Sequence, residues 1–208
     1  MIDIGHDATV LFQGDSITDA GRSRQDGNDL GQGYPALVAA WYAALHPEKR
    51  VRFINRGISG NRAKDLRGRW QSDCLDLHPT LVSILIGIND TWRRYDSGDP
   101  TSAEEYEAHF RAILEPVRDG LHAQIIVLEP FSLPVPADRA AWRVDLDPKI
   151  AVARTLAREF GATFVPLDGL FAGAAAEREM GFWLPDGVHP SPAGHALIAQ
   201  AWLRAITA

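Results

Sequence analysis

A chain of 208 residues with 46% hydrophobic and 23% charged residues has the length and composition of one globular domain rather than of a disordered chain. We therefore predict a single domain over residues 1–208. The formal net charge of −6 argues against a nucleic-acid partner, because phosphate binding requires a basic surface.

The first residues, Met1–Asp7, lack the basic region and apolar stretch of a signal peptide. No segment reaches the roughly 18 apolar residues that cross a bilayer. The single cysteine, Cys74, allows no disulfide within the chain and is expected to be a packing residue. We expect a cytoplasmic protein with no membrane partner.

Short apolar segments alternate with longer segments of helical periodicity along the chain. The predicted strands are Thr9–Gln13, Val51–Asn55, Leu81–Ile86, Gln124–Leu128 and Thr163–Pro166. The predicted helices are Tyr34–Leu45, Lys64–Leu77, Ala103–Gly120, Pro148–Gly161 and Pro192–Thr207. Local signals support their ends: Thr101 or Ser102 can cap the third helix, Gly161 can stop the fourth, and Ser191 precedes proline at the start of the fifth.

The third strand segment, Leu81–Ile86, is almost continuously apolar, which is typical of a strand covered on both faces. Alternating strands and helices then predict a three-layer α/β/α sandwich with a five-stranded parallel sheet. Unusually long connections, Asp19–Gly33, Gly87–Ser102 and Glu129–Asp147, follow three of the strands. Loops after strand ends build the binding crevice of such a sheet, so we expect the functional site there.

Small polar clusters follow the first three strands and precede the last helix. They are Gly14–Thr18, Asn55–Asn61, Gly87–Asp90 and Asp186–Ser191. Acyl transfer by a serine requires a nearby base and an acid that orients the base. Asp186 and His189 are three residues apart, so a tight turn can place both side chains together. We expect Ser16 as the nucleophile, His189 as the base and Asp186 as the orienting acid.

A tetrahedral intermediate also needs hydrogen-bond donors around its oxyanion. The backbone N–H groups of Ser16 and Gly60 and the side-chain amide of Asn89 are available on three neighbouring loops. Each cluster alone is a weak indication, because Gly-Asp-Ser also occurs in ordinary turns and Asp-x-x-His in surface pairs or half metal sites. Their joint order at the sheet edge favours acyl transfer.

These four clusters resemble the Ser, Gly, Asn and His blocks of the SGNH/GDSL hydrolase superfamily, in that order, from Leu11 to about Leu203. The resemblance implies a flavodoxin-like fold and assigns the same triad and oxyanion roles to the residues above. The residues around the blocks, including Gly31–Tyr34 and Thr91–Arg93, are similar to those of bacterial intracellular acetylxylan esterases. That narrower resemblance implies removal of acetyl groups from xylo-oligosaccharides and, for some members, a ring-like homo-oligomer.

Four further residues are candidates for substrate binding: Asp15, Arg56, Trp92 and Trp183. The two tryptophans could form an aromatic wall around an acetyl pocket or stack on a sugar, and could equally cover the sheet edge. Arg56, like Arg93, is expected more often to brace a loop than to bind a sugar hydroxyl. The other histidines show no metal-ligand spacing, so we expect no metal and no cofactor and treat them as structural or surface residues. They are His6, His46, His78, His109, His122 and His195.

Two alternative functions remain at this point. A metal hydrolase would use the side chains of Asp15, Asp19, Asn89, Asp90 and His189 as ligands and would not need serine at 16. A lysophospholipase or thioesterase would keep the triad and need a long apolar groove for its acyl chain. The segment Phe131–Pro136 could line such a groove or form an oligomer contact.

Overall fold

Five short apolar segments form one parallel sheet in a computed structural model of the chain, which describes residues 2–207 and, for Thr207, the backbone alone. The strands are β1 (Thr9–Gly14), β2 (Arg52–Asn55), β3 (Leu81–Leu85), β4 (Gln124–Leu128) and β5 (Thr163–Val165). Their order is β2-β1-β3-β4-β5, and all four neighbouring pairs are parallel. This is the flavodoxin-like order, and the predicted fold class is confirmed.

Helices connect the strands and lie on both faces of the sheet. They are α1 (Ser16–Asp19), α2 (Tyr34–Leu45), α3 (Ala63–Gly68), α4 (Trp70–Asp73), α5 (Ile88–Asp96), α6 (Ala103–Glu115), α7 (Arg143–Glu159), α8 (Leu167–Glu177), α9 (Met180–Trp183) and α10 (Pro192–Thr207). Short 3₁₀ turns occur at Pro47–Lys49, Leu75–Leu77 and Ala137–Trp142, and a single π turn, Pro116–Leu121, extends α6.

Two apolar clusters fill the space between the sheet and its helices. One contains Tyr34 and Val38 of α2 together with Ile198 and Trp202 of α10. The other packs helices α3, α4, α6 and α7 against the opposite face. At about 25 cal/mol per Å² of apolar surface removed from water, these clusters are the main term that stabilises the sandwich. Because both faces are covered, all five residues of β3 are buried.

Three predicted helices differ in extent from those observed. The segment Lys64–Leu77 is divided into α3, α4 and a 3₁₀ turn, because Arg69 leaves helical geometry and its guanidinium donates to Gln13 Oε1 at the end of β1. α6 changes to a π turn at Pro116, which has no N–H to continue the α-helical pattern.

α7 begins five residues before the predicted start at Pro148, which lies inside it. Burial of Leu146 in the core and the bidentate bond between Arg143 and Asp168 stabilise the extra turn.

Several end signals are present as predicted. Ser102, rather than Thr101, caps α6, with a reciprocal bond between its backbone N–H and the Glu105 carboxylate. Gly161 has φ of +64° after the end of α7. The Ser191 hydroxyl accepts the N–H of Gly194 in the first turn of α10 at 3.2 Å. Among the described helices, none has the length and apolarity needed to cross a bilayer.

Candidate active site

Ser16 lies at the first position of α1, immediately beyond the carboxyl end of β1. The turn is tight because Gly14 approaches the Leu85 carbonyl of β3 so closely that a Cβ would overlap it. The Asp15 carboxylate caps α1 by accepting the Ile17 N–H at 3.0 Å. This turn holds the Ser16 side chain half-exposed at the sheet edge.

The side chains of Ser16, His189 and Asp186 form one continuous hydrogen-bonded chain. Ser16 Oγ lies 2.9 Å from His189 Nε2, and His189 Nδ1 lies 2.6 Å from Asp186 Oδ2. A carboxylate can only accept, so Nδ1 carries the proton and Nε2 of the neutral ring can accept the Ser16 hydroxyl proton. The structure thus brings together the three residues that the sequence predicted as a triad.

The turn that carries Asp186 and His189 is fixed by its own hydrogen bonds. Asp186 Oδ1 accepts the backbone N–H groups of Val188 at 3.0 Å and His189 at 2.7 Å. Gly187 has φ of +80°, and a Cβ there would overlap the carbonyl oxygens of Leu133 and Val135. Glycine is therefore needed for this turn to pack against the segment after β4.

The two titrating members of the chain stabilise each other's charged forms. Burial pushes the pKa of Asp186 upward, but hydrogen bonds from the His189 ring and from two backbone N–H groups outweigh burial and hold the pKa below its usual range. The hydrogen bond to Asp186 is the largest effect on His189 and raises its pKa above 6.5, against partial burial. An imidazolium that forms during proton transfer is thereby stabilised.

The expected oxyanion donors follow the carboxyl ends of β1, β2 and β3: Ser16 begins α1, Gly60 lies in the loop after β2, and Asn89 is in the first turn of α5. The Ser16 N–H is at the N-terminus of α1 and has no partner within the helix. Gly60 has φ of +83°. A Cβ built on Gly60 would lie 3.9 Å from Arg93 Nη2, so the two residues are adjacent. Arg93 donates to Asn89 Oδ1 at 3.3 Å, while Asn89 Nδ2 donates to the Asn61 carbonyl at 3.1 Å and keeps a second N–H. Gly60, Asn89 and Arg93 are therefore neighbours.

Asp15 and Arg56, two of the substrate-binding candidates, occupy different environments. Asp15 is fully buried, and burial raises its pKa to about 7 against the hydrogen bond from Ile17 and the charge of His189. Asp15 is therefore placed to cap α1 rather than to present a surface that a substrate touches. Arg56 donates to the carbonyls of Gly27 and Asn55, and so braces the loop that precedes α2.

The two candidate tryptophans are separated by the structure. The Trp92 ring lies 5.8 Å from the His189 ring and 5.2 Å from the Trp142 ring. The Arg139 guanidinium lies over the rings of Trp92 and Trp142. The Trp183 indole N–H instead donates to the Ala174 carbonyl of α8, and its ring packs against the core. Trp92 is thus part of the site wall, whereas Trp183 packs against α8 and the core.

The carboxylates that a metal hydrolase would use are engaged in other contacts. Asp19 pairs with Arg24 at 2.8 Å and accepts the Ser59 N–H, while Asp90 is buried and accepts the Ala63 N–H at the start of α3. Within residues 2–207, no group of three His, Cys, Asp or Glu side chains is placed to hold a metal ion.

The apolar segment after β4 is partly buried in the core and partly borders a cavity of about 310 Å³, to which Leu133 and Pro134 contribute. Phe131 and Leu133 are buried, and the Phe131 ring stacks on Phe171 of α8 at 4.4 Å. Pro134 and Pro136 are exposed. Phe131 is thus used within the chain's own core, whereas the cavity beside Leu133 and Pro134 also carries the charged side chains of Arg139, Arg143 and Asp168. An oligomer contact at this segment stays a prediction.

Two polar residues of the site, Gln32 and His195, were missed from the sequence. A cavity of about 310 Å³ is lined by Ser16, His189, Gln32 and His195, together with Ala20 and two prolines of the His189 loop. His195 lies in the first turn of α10, and burial and the neighbouring His189 lower its pKa to about 4. The only sequence signal was its position six residues after His189.

Comparison with known proteins places this geometry among hydrolases. The model of the GDSL-like lipase/acylhydrolase family matches residues 12–197. The acetylxylan esterase of Geobacillus stearothermophilus is 37% identical over 214 residues, which cover 98% of this chain and 95% of that esterase.

Solved structures agree with the sequence match. A protein of Parabacteroides merdae that bears the name GDSL-like lipase has a TM-score of 0.95 at 37% identity, covering 99% of this chain and 98% of its own. The crystal structure of the Geobacillus stearothermophilus acetylxylan esterase has a TM-score of 0.90 at 38% identity, covering 99% of this chain and 96% of its own. Three structures described as catalytic mutants of that esterase have TM-scores of 0.90, 0.90 and 0.91.

Proposed function

The chain belongs to the GDSL-like lipase/acylhydrolase family and is an ester hydrolase, and on that premise we propose that it removes acetyl groups from acetylated xylo-oligosaccharides through an acyl-enzyme on Ser16. The observation that carries the proposal is the hydrogen-bonded chain from Ser16 through His189 to Asp186. A cytoplasmic location and a homo-oligomer stay predictions.

The first half of the reaction forms the acyl-enzyme. Ser16 Oγ attacks the ester carbonyl carbon as its proton passes to His189 Nε2, and Asp186 stabilises the imidazolium. The carbonyl oxygen becomes an oxyanion that accepts hydrogen bonds from the Ser16 and Gly60 N–H groups and the Asn89 amide. When the tetrahedral intermediate collapses, His189 gives the proton to the departing alcohol oxygen. Each oxyanion donor of this kind typically contributes on the order of 10²–10³ to kcat.

The second half returns the enzyme to its starting state. A water molecule attacks the acetyl carbonyl of the acyl-enzyme while His189 accepts one of its protons. The second tetrahedral intermediate collapses, the Ser16–acetyl bond breaks, and Ser16 recovers its proton from His189 as acetate leaves. The same donors serve both intermediates, since the oxyanion forms at the same position.

Two features support a short acyl group over the long chain of a lysophospholipase or thioesterase. The paired rings of Trp92 and Trp142 form a bulky wall beside His189. Of the apolar segment that could have lined a long groove, Phe131 is buried in the core, and the cavity that Leu133 and Pro134 border also carries the charged side chains of Arg139, Arg143 and Asp168. The sugar substrate is supported by the similarity to an acetylxylan esterase over nearly the whole chain.

Initial rates on p-nitrophenyl acetate and p-nitrophenyl octanoate, with and without EDTA, test this proposal. We expect faster hydrolysis of the acetate, indifference to EDTA, loss of activity in Ser16→Ala and no loss in Ser23→Ala, which removes an exposed serine hydroxyl. Acetate release from acetylated xylo-oligosaccharides then tests the substrate. A preference for octanoate would assign the site to longer acyl chains, and activity that survives Ser16→Ala would refute the serine mechanism.

A further inference from the structure

His195 reaches from α10 across to α2, and its Nδ1 lies 3.2 Å from the Tyr34 backbone nitrogen. That N–H belongs to the first residue of α2, where Gly33 offers no side chain as a cap. The ring also packs tightly, since a Cβ at Gly33 would lie 2.8 Å from His195 Cε1. One role of His195 is therefore structural, as an acceptor that caps α2.

The same bond decides where the His195 proton lies. A backbone N–H can only donate, so Nδ1 accepts and the proton of the neutral ring is on Nε2. Among the described residues 2–207, no atom accepts a hydrogen bond from Nε2. Nε2 thus carries a fixed proton and has no protein partner, and it belongs to a residue that lines the cavity containing Ser16 and His189.

This cavity lies where the alcohol part of an ester is expected. Two of the three expected oxyanion donors, Gly60 and Asn89, do not line it, whereas His189, which must protonate the leaving oxygen, does. The remaining wall carries Gln32, a second polar side chain. A cavity that carries two polar side chains, Gln32 and His195, beside the general acid suits an alcohol with further hydroxyl groups.

We propose that His195 is a substrate-binding residue whose Nε2–H donates a hydrogen bond to a hydroxyl oxygen on the alcohol part of the ester. This inference rests on the proposed function, and it assigns the preference for hydroxyl-bearing alcohols to one donor outside the triad and the oxyanion site.

The electrostatics of the cavity are consistent with this role. Burial and the charge of His189 lower the pKa of His195 to about 4. His195 therefore stays neutral when His189 becomes an imidazolium, and the donor persists at every pH at which the esterase works. A second cation beside His189 would oppose proton transfer from Ser16.

Two substitutions separate the donor from the cap. His195→Asn places an amide near the position of Nδ1, so it can still accept the Tyr34 N–H but does not reach the position of Nε2. His195→Gln is longer and can place an amide N–H near Nε2 while leaving α2 without its cap. The substrates share the acetyl group and differ in the alcohol: monoacetylglycerol carries hydroxyls, whereas p-nitrophenyl acetate does not.

We expect His195→Asn to lower kcat/KM for monoacetylglycerol by about 3- to 10-fold more than it lowers kcat/KM for p-nitrophenyl acetate, which is the size of one uncharged hydrogen bond. His195→Gln should keep monoacetylglycerol activity within about twofold while its melting temperature falls, because the Tyr34 N–H loses its acceptor. The loss in His195→Asn should be the same at pH 6 and pH 9.

Equal losses on both substrates, or a His195→Asn enzyme that matches the wild type on monoacetylglycerol, would leave His195 with only its structural role and overturn the inference. Failure of the wild type on acetylated xylo-oligosaccharides alone contradicts the proposed sugar substrate and leaves this test intact. A wild type with no esterase activity contradicts the proposed function and this inference together.

Discussion

Two histidines of one cavity have different chemistry because their partners differ. His189 Nδ1 faces the Asp186 carboxylate, which favours the charged ring, whereas His195 Nδ1 faces a backbone N–H, which favours the neutral ring. The pKa of His189 is accordingly raised, by its hydrogen bond to Asp186, and that of His195 is lowered, by burial. Local partners therefore determine which ring can serve as the base.

Asp186→Asn tests the electrostatic part of the triad. We expect kcat to fall by about 10³- to 10⁴-fold, because the amide supports the wrong tautomer of His189 and does not stabilise the imidazolium. His189 must be neutral to accept a proton, so wild-type activity falls as pH drops through its raised pKa. Without the carboxylate this pKa decreases, and the acid limb of kcat/KM should move to lower pH.

The measurement is a pH–rate profile of both proteins with p-nitrophenyl acetate. Asp138→Asn, which changes an exposed carboxylate on the loop before α7, is the matched control and should leave the profile unchanged. An unshifted acid limb in Asp186→Asn would mean that a group other than His189 controls the rate.

Among the helices and strands, the bounds predicted from the sequence are most accurate where the apolar periodicity is strong. The bounds of α2, α10 and β4 match their predictions, because apolar spacing and flanking proline or glycine signals agree there. α5 was predicted as a connection, since Asn89 and Asp90 favour turns and caps over helix interiors. Tertiary contacts override that preference: Asn89 and Asp90 are both buried and bonded to the loop that leads into α3.

In the candidate site, too, the residues that local motifs identify could be predicted, whereas those that depend on long-range contacts could not. Ser16, Asp186 and His189 could be predicted because motif order and strand ends identify them in one dimension. The function of His195 depends on Tyr34, which is 161 residues away, and no local pattern contains that contact. The separation of Trp92 from Trp183 likewise follows from helix packing and could not be obtained from spacing.

Asp90 links α5 to α3 and should make stability depend on pH. Burial raises its pKa from 3.8 to about 7, against the Ala63 hydrogen bond and the charges of Lys149 and Arg62. The unfolded chain loses this proton near pH 4 and the folded chain only near pH 7, so the Asp90 contribution to stability declines as pH rises between these values.

Asp90→Asn mimics the protonated side chain and should remove this decline. We expect the melting temperatures of the variant and the wild type to be similar at pH 4, and the variant to melt higher at pH 8. Thermal unfolding followed by circular dichroism at both pH values measures the difference. A variant that is less stable by the same amount at both values would show that the carboxylate is ionised in the folded protein.

At the scale of the whole molecule, the site depends on the complete sandwich. Ser16 and His189 are 173 residues apart, and they meet only when β1, which lies between β2 and β3 in the sheet, and α10 on the sheet's face are both in place. β1 and α10 are both packed into the apolar cluster that contains Trp202 and Tyr34. Site assembly and global folding should therefore be one cooperative event.

A urea titration checks this coupling. We expect loss of p-nitrophenyl acetate hydrolysis and the change in tryptophan fluorescence to have the same midpoint, because buried Trp70 and Trp202 report opposite helical layers. Activity that disappears at a lower urea concentration would indicate that the loop carrying His189 opens before the core unfolds.

The central claim, an acyl-enzyme on Ser16, is tested most directly by mass spectrometry of enzyme quenched during turnover of p-nitrophenyl acetate. The activated ester should acylate faster than water removes the acetyl group, so the intermediate accumulates. We predict one acetyl group on the peptide that contains Ser16, with none in Ser16→Ala. An acetyl group on another residue that turns over at the rate of kcat, or undiminished turnover in Ser16→Ala, would contradict the account.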